Sequence, residues 1–462
     1  MHCSPTAPSL TGSSDAASRA FAPITRDWTC PFCALLCDDL MVESLDGATL
    51  AAPGTDCPRL AQALAGYSAS DAHCRSSVDA SDADLDAALA HAAQILATAR
   101  RPLFGGLATD VAGARALYAL AAQCGAILDH LHGDALGAAT LALQDRGAFF
   151  TTLSEVRTRA DLAVFFGCQP SQRYPRFYAR TLAGGEMARE LVFVGCPPDP
   201  AAQGLANTRV EAILPGADPF DTLALWSALS EGRAPGALGG AAGSSDNHAA
   251  LMLAALQARI AAARYSVVVY EPAALPAPHA ALLIEALHRI VKAANRTVRA
   301  GCLALGGDDG ALAVSQAVTW LSGLPLRTHV VAPGRMEGTP PLDHNPWRYR
   351  TERLLAGGEV DALLWIASFA PKAALPDAPP SIPTIVLGHP ALAQAVRSHG
   401  GPAVFIPVAT PGIDSGGHLF RTDGPVVTPL VAARRAPLPT VAAIAAQLGE
   451  RLHAKLPPQE RP

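Results

Sequence analysis

Four cysteines near the start of the chain have types and spacing that could do chemistry. Cys30, Cys33 and Cys37 follow the pattern C-x2-C-x3-C, and Cys57 returns after 19 further residues with Pro58 behind it. A cubane iron–sulfur cluster takes one thiolate at each of four corners, and a tight loop with a short excursion can supply all four. A tetrahedral zinc ion accepts the same four sulfurs, and small, reduced, buried thiols are the bland reading. The spacing favours a 4Fe–4S cluster. Cys74, Cys124, Cys168, Cys196 and Cys302 lie in or near apolar segments and read as core. Cys168 and Cys196 end predicted strands, where doubly wound sheets bind ligands.

Other groups invite weaker readings. His130 and His132 stand at i, i+2 on a loop after a strand and read as hydrogen-bonded loop residues before metal ligands. Arg173, Arg176 and Arg180 follow the strand that ends at Cys168, and could bind a carboxylate-rich tail or a partner. Residues 301–310 are a strand and a Gly-rich turn opening a helix, a form that can cradle phosphate. Asp308 and Asp309 within it would repel phosphate, so a plain tight turn is expected. Asp414, Ser415 and His418 lie close in sequence without a nucleophile-elbow motif, so a hydrolase triad is not expected.

Those residues need a scaffold, and the apolar pattern supplies one. Residues 26–75 read as a small β module organised around its cysteines, with short strands at 40–43 and 48–51 and Asp46-Gly47 as a hairpin turn. From residue 84 an Ala-rich helix over 84–99 leads to a strand at 103–104. Further short apolar runs fall at 126–129, 162–166, 191–194, 210–214, 266–270, 298–303, 362–366, 384–387 and 404–406. Most are separated by helical stretches, the pattern of buried parallel strands with crossover helices. The fold class is therefore α/β, with several doubly wound, mostly parallel sheets beside the Cys-rich module. The expected division is a disordered tail over 1–25, the module over 26–75, a first α/β domain over 76–232, a second over 247–395, and a segment over 396–462 that closes the core. Residues 232–246, rich in Gly, Ala, Pro and Ser, read as the linker between the halves.

Composition bounds the partners. The chain has 462 residues, half of them hydrophobic, with 16% charged and a net charge of −5, so nucleic acid is not expected. No apolar run reaches membrane-span length and the first 25 residues lack a signal-peptide pattern, so a cytoplasmic chain is expected. A chain this Ala-rich and sparsely charged either hides surface against partner subunits or has a large core.

Five segments in register resemble one family. The module beginning Cys30-Pro-Phe-Cys-Ala-Leu-Leu-Cys-Asp-Asp-Leu is similar to the N-terminal cluster motif in the B subunit of formylmethanofuran dehydrogenase, a branch of the molybdopterin oxidoreductases. The likeness continues through Leu141-Ala-Leu-Gln-Asp145, through Asp161-Leu-Ala-Val-Phe-Phe-Gly-Cys-Gln-Pro170 with Tyr174-Pro-Arg176 behind it, and through Gly358-Glu-Val-Asp-Ala-Leu-Leu-Trp365. It ends on Pro411-Gly-Ile-Asp-Ser-Gly-Gly-His-Leu-Phe-Arg-Thr-Asp-Gly424. The resemblance implies the molybdopterin-oxidoreductase fold and a cluster on Cys30, Cys33, Cys37 and Cys57 that feeds a tungsten or molybdenum ion held by two pyranopterin dinucleotides. In redox members a cysteine or selenocysteine ligates that metal. Counted back from Leu141–Asp145, its place falls on Ala135, beside Asp134, and a methyl group cannot ligate a metal. The arginine expected in the stretch matched by Cys196-Pro-Pro-Asp-Pro200 is missing as well.

These departures make the chain most similar to the B subunit of the bacterial formyltransferase/hydrolase complex. The resemblance then implies no catalytic residue and no tungsten or molybdenum pterin. The implied role is a non-redox scaffold beside an amidohydrolase-type A subunit, a C subunit and a formyltransferase D subunit. That complex passes a formyl group between tetrahydromethanopterin and a methanofuran-like carrier and releases formate. Cys168, Arg173, Arg176, Arg421 and Asp423 are the positions where the resemblance would place cofactor or carrier contacts. The competing expectations are an active formylmethanofuran dehydrogenase B subunit, with a carboxylate such as Asp134 on the metal, and a relay subunit that carries the cluster alone.

Overall fold

A computed structural model of the protein describes residues 24–45, 49–182, 186–238, 245–332, 340–369 and 375–455. Of the expected tail, residues 1–23 lie outside them, as do the Asp46-Gly47 turn and residues 239–244 of the 232–246 linker.

Two parallel-rich sheets carry the fold. A five-stranded, all-parallel sheet has the order Thr208–Ile213, Arg189–Val194, Leu162–Phe166, Ser266–Tyr270, Ala300–Ala304. Its three central strands are buried along nearly their whole length, as strands covered by helices on both faces must be. The second sheet has nine strands. Its parallel middle runs Ile127–Leu128, Pro102–Ala108, Ala362–Ala367, Thr384–Gly388, Ala403–Pro407. Short antiparallel strands close both edges: Thr328–Val330 with Leu342–His344, and Ser76–Val78 with Ser81–Ala83. The α/β class is as expected.

The division into halves is corrected by this topology. The five-stranded sheet takes strands from both sides of 232–246, and the nine-stranded sheet takes strands from 76–128 and again from 328–407. One parallel sheet is thus inserted in sequence within the other. The Gly/Pro-rich stretch marks a long crossover within a sheet, not a boundary, because local composition reports backbone freedom and says nothing of which strands pair.

Local signals set the helix ends. Asp84 accepts from Ala87 N at 2.7 Å to start the helix Leu85–Thr98, and Asp110 accepts from Gly113 N at 2.9 Å to start Val111–Cys124. Thr152 and Glu155 form a capping box at the start of Leu153–Arg159, with each such cap worth about 1 kcal/mol. The C-terminal helix Val441–Lys455 lays Val441, Ile444, Ala445 and Leu448 into the core shared by Leu85–Thr98 and Val111–Cys124.

The N-terminal module is a three-stranded antiparallel sheet of Ile24–Trp28, Leu40–Ser44 and Leu50–Ala51. Trp28 is fully buried, and its indole N–H donates to the carbonyls of Gly412 at 2.9 Å and Val431 at 3.1 Å. One side chain therefore fastens the first strand to the C-terminal segment. Replacing Trp28 with Ala should cost about 3–5 kcal/mol through the cavity it opens, and Trp28→Phe about 1–2 kcal/mol through the lost hydrogen bond. Chemical denaturation should show that order, and equal stability of the two variants would contradict it.

Candidate functional site

All strands of the five-stranded sheet end on one edge. There the chain turns at 167–173, 195–199, 271–278 and 305–310, the crevice where open α/β sheets bind ligands. The Cys-rich loop docks on that edge. Its own form is set by Cys30 N–H donating to Cys37 C=O at 2.9 Å and Leu36 N–H to Cys33 C=O at 3.1 Å, with Leu36 at a positive φ of 44°. Ala34 N–H donates to Asp308 Oδ1 at 3.0 Å, and Ala34 C=O accepts from Thr422 N–H at 2.8 Å.

Cys30, Cys33 and Cys37 are buried, and Cys57 is the half-buried cap residue of the helix Pro58–Leu64. All four pack in one core cluster with Cys168 and Cys196. Burial pushes Cys33 up to about 12 and Cys30 well above the ordinary thiol range, with the neighbouring cysteines adding to the effect on Cys30. The four thiols suit a cluster in kind and number. Among the described residues, no three His, Cys, Asp or Glu side chains are placed together as a metal-binding group.

The arginines that follow Cys168 are engaged within the chain. Arg173 pairs with Glu271 and, at 2.9 Å, with Asp308. Arg176 grips Asp39 with two bonds of 2.6 and 2.7 Å, and Arg180 holds Asp38 at 2.6 Å. Arg59 reaches Asp308 at 3.0 Å. Arg421 is bidentate to Asp423, which also accepts from Leu153 N–H at 3.0 Å. Asp199, fully buried, accepts from Ser171 Oγ, from Ser171 N–H at 2.8 Å and from Tyr178 OH at 3.0 Å. The crevice edge is stapled by the chain's own groups, and its buried carboxylates Asp199, Glu271 and Asp308 would repel the phosphates of a dinucleotide. The arginines and carboxylates present here do not fit a pterin dinucleotide.

Ala135 lies in the first turn of the helix Gly133–Arg146 and lines a cavity of about 360 Å³. Beneath it runs an ion-pair lattice. The buried Arg327 donates through Nε to Asp129 at 3.1 Å, through Nη2 to Asp134 at 2.7 Å and through Nη1 to Pro346 C=O at 2.7 Å. Arg350 takes the other Asp134 oxygen at 2.7 Å, and Thr351 closes on Asp129 with its N–H and hydroxyl at 2.8 and 2.9 Å. Burial alone would raise the Asp134 carboxyl, but the hydrogen bonds and charges of Arg327 and Arg350 outweigh it and hold it below the usual range. Gly133 is required at this point: a Cβ there would meet Asp129 Oδ1 at 2.3 Å and Arg327 Nη2 at 2.8 Å. Asp134, the carboxylate that the competing reading would put on a metal, is thus already bound by two guanidinium groups.

The histidines belong to the same rim. His130 Nδ1 accepts from His132 N–H at 3.0 Å, leaving Nε2–H to donate to Asp309 C=O at 3.3 Å, while His132 pairs with the Asp309 carboxylate at 2.9 Å. They are bonded loop residues, as expected. The turn that could have cradled phosphate instead spends Asp308 on the cysteine loop and Asp309 on the histidine loop. Asp414 is bound to the buried Arg434 at 2.8 Å, so it orients no triad. The Arg327 lattice itself was missed: Arg327 lies in no motif, and its only signal was a lone arginine in an otherwise apolar stretch.

Two expectations follow. Asp308→Ala leaves Arg59, Arg173 and Ala34 N–H without their shared acceptor and should cost about 3–5 kcal/mol. Asp308→Asn, which keeps an acceptor for Ala34, should cost less. Denaturant titration and protease nicking in the cysteine loop would show both, and wild-type stability in Asp308→Ala would refute the role. Burial holds His130 down to about 3 and His288 to about 4. A histidine depressed in the fold binds its proton only in the unfolded chain, so stability should fall as pH drops below the unfolded value of about 6.5. His130→Gln should flatten the acid limb between about pH 6 and 3, and an unchanged pH slope would count against it.

Comparison with known proteins places this geometry among relatives. No family model matches the chain. It is 30% identical over 382 residues to the B subunit of the formyltransferase/hydrolase complex of Methylorubrum extorquens, covering 81% of this chain and 96% of that one. It is 31% identical over 166 residues to the B subunit of the tungsten-containing formylmethanofuran dehydrogenase 2 of Methanocaldococcus jannaschii, covering 34% of this chain and 38% of that one. A chain in the crystal structure of the Methylorubrum extorquens formyltransferase/hydrolase complex with methylofuran superposes with a TM-score of 0.67 at 30% identity, over 82% of this chain and 99% of that chain. No helix among the described residues is long and apolar enough to cross a membrane.

Proposed function

The chain belongs to the family of the B subunit of the formyltransferase/hydrolase complex, and we propose that it is the non-redox scaffold of such a complex. On this reading the complex moves a formyl group between tetrahydromethanopterin and a methanofuran-like carrier and releases formate, while the chemistry belongs to the amidohydrolase-type A and formyltransferase D subunits that assemble with this chain and a C subunit.

One observation carries the reading. At the position that resemblance assigns to the metal ligand stands Ala135, and the adjacent donor, Asp134, is held by Arg327 and Arg350 at 2.7 Å each. Releasing Asp134 to a metal would leave a buried arginine short of a partner, a cost of about 3–5 kcal/mol before any ligation is gained. The stapled crevice supports the same conclusion. Cys30, Cys33, Cys37 and Cys57 would hold a 4Fe–4S cluster as a structural staple of the N-terminal module. When bound, such a cluster would supply one-electron transfer; on the scaffold reading its role is to hold the 30–37 loop to the helix behind Cys57.

The test is anaerobic purification of the tagged native chain, followed by native mass spectrometry and elemental analysis. Co-purification with other subunits, with no tungsten or molybdenum, is the expected outcome. Stoichiometric tungsten or molybdenum on this chain would overturn the scaffold reading. The variant Ala135→Cys should gain no viologen-linked oxidation of a formyl carrier, because a thiol there restores neither the nucleotide contacts nor the space taken by the lattice.

A further inference from the structure

Among the described residues, Thr208–Ile213 is the longest strand at a sheet edge, and no strand pairs with its outer side. The opposite edge of the same sheet is covered. Phe149–Thr151 lies along it, with Cys302 N–H donating to Phe149 C=O at 2.8 Å and Thr151 N–H to Cys302 C=O at 3.0 Å. The nine-stranded sheet ends in strands of three residues on both sides. Open edges are normally blunted by such shortness, by a proline or by a bulge. Thr208–Ile213 contains no proline, and its register to Arg189–Val194 is unbroken.

The hydrogen bonds at its two ends fix which backbone groups point outward. Asn207 C=O accepts from Arg189 N–H at 2.9 Å, and Ile213 C=O accepts from Gly195 N–H at 3.1 Å. Backbone groups alternate sides along a strand. Residues 207, 209, 211 and 213 therefore bond inward, while Thr208, Val210 and Ala212 turn N–H and C=O to the open side. The residues between them carry opposite charges. Arg209 and Glu211 are two apart, so they share one face. Arg259 holds Glu211 at 2.9 Å on that face. Arg209 has a side chain 67% exposed and reaches Glu211 and Glu190 only at 3.5 and 3.8 Å, so it is loosely held.

We propose that this edge pairs with the same edge of a second copy of the chain, antiparallel about a twofold axis at Val210. Val210 then faces Val210 of the second copy, and Thr208 faces Ala212 of the second copy. Each such pair exchanges both backbone hydrogen bonds. Arg209 falls opposite Glu211 of the second copy, at the closer positions between those bonds, where opposite charges attract across strands. The neighbouring registers fail on charge. An axis at Arg209 sets two arginines against each other, and an axis at Glu211 sets two glutamates. The strand is thus its own complement in one register, as an isologous contact requires. The contact joins two five-stranded sheets into one and does not rest on the scaffold role.

Sedimentation velocity of the full-length protein over a concentration series tests it. A monomer–dimer equilibrium with a dissociation constant of roughly micromolar order is expected for so small a contact. Val210→Pro removes an outward N–H and spares the bonds to Arg189–Val194, so it should keep the fold and weaken the dimer at least about tenfold. Arg209→Glu and Glu211→Arg should each weaken it at least about tenfold through like charges, and an equimolar mixture of the two should associate one to one. Circular dichroism checks that each variant is folded. A protein that stays monomeric to roughly 100 µM would overturn the proposal. So would a dimer unchanged in Val210→Pro and in both charge variants. Loss of a different subunit from the purified complex in Val210→Pro, with self-association intact, would overturn the second copy as the occupant of this edge.

Discussion

The pair Asp308-Asp309 is the joint on which the arrangement turns. Asp308 is buried, and its two oxygens take Ala34 N–H from the cysteine loop, Arg59 from the helix behind Cys57 and Arg173 from the edge of the five-stranded sheet. Asp309, at a positive φ of 54°, turns the other way and holds His132, on the loop that leaves the nine-stranded sheet. Two adjacent carboxylates thus join three parts of the fold: the N-terminal module, the inserted sheet and the enclosing sheet. A buried carboxylate tolerates desolvation only when its oxygens are fully engaged, so each of those pieces has one orientation in which this turn is satisfied. Gly310, with φ of 75°, allows the turn to press against Thr109, since a Cβ there would lie 1.9 Å from the Thr109 carbonyl.

The same logic bears on how poorly the crevice suits a dinucleotide. Doubly wound sheets normally present backbone N–H groups and free arginines at their strand ends, ready for phosphate. Here those positions carry Asp199, Glu271 and Asp308, and Arg59 and Arg173 nearby are already paired with Asp308 and Glu271. Burial raises the Glu271 carboxyl while Arg173 opposes the shift. A site of balanced internal charge can hold the two sheets rigidly and has little left over for an anionic ligand.

The sequence was most legible where one element suffices to determine structure. Short Val/Leu/Phe runs such as Leu162–Phe166 and Ser266–Tyr270 fall where expected, because a strand buried on both faces can contain little else. The helix expected over 84–99 was readable for a similar local reason, its Ala-rich run, and Asp84 caps it. Edge strands such as Ser76–Val78 and Leu342–His344 were not, since they are short, partly polar and defined only by the neighbour they pair with. Strand order was hidden too: nothing in 208–213 or 266–270 says that they share a sheet across a Gly/Pro-rich stretch. At the site, Ala135 was marked by what a resemblance would have required there. Arg327 was invisible because its partners, Asp129, Asp134 and Pro346, lie up to 198 residues away in the chain. Arg173, Arg176 and Arg421 were singled out by position, but sequence could not show that each would be paired before any ligand arrived.

That pairing bears on how a scaffold could descend from a redox fold. Removing a metal and its pterins from the centre of a two-sheet protein would leave buried donors without partners, and a core with that defect loses stability quickly. The defect can be repaired by opposite charges brought within hydrogen-bond reach. Arg327 does this beneath Ala135, with every nitrogen of its guanidinium engaged. On the scaffold reading, the lattice takes over the metal's mechanical work of holding the helix Gly133–Arg146 to the loop at Pro346 and Thr351, with no need of its electronic work. On the same reading, a ligand could not be restored by a single step, because it would strand the charges around Asp134. The cysteines fit this view without requiring redox chemistry: packed in one core, three of them on a loop that Asp308 holds through Ala34 N–H, they contribute packing whether or not iron joins them.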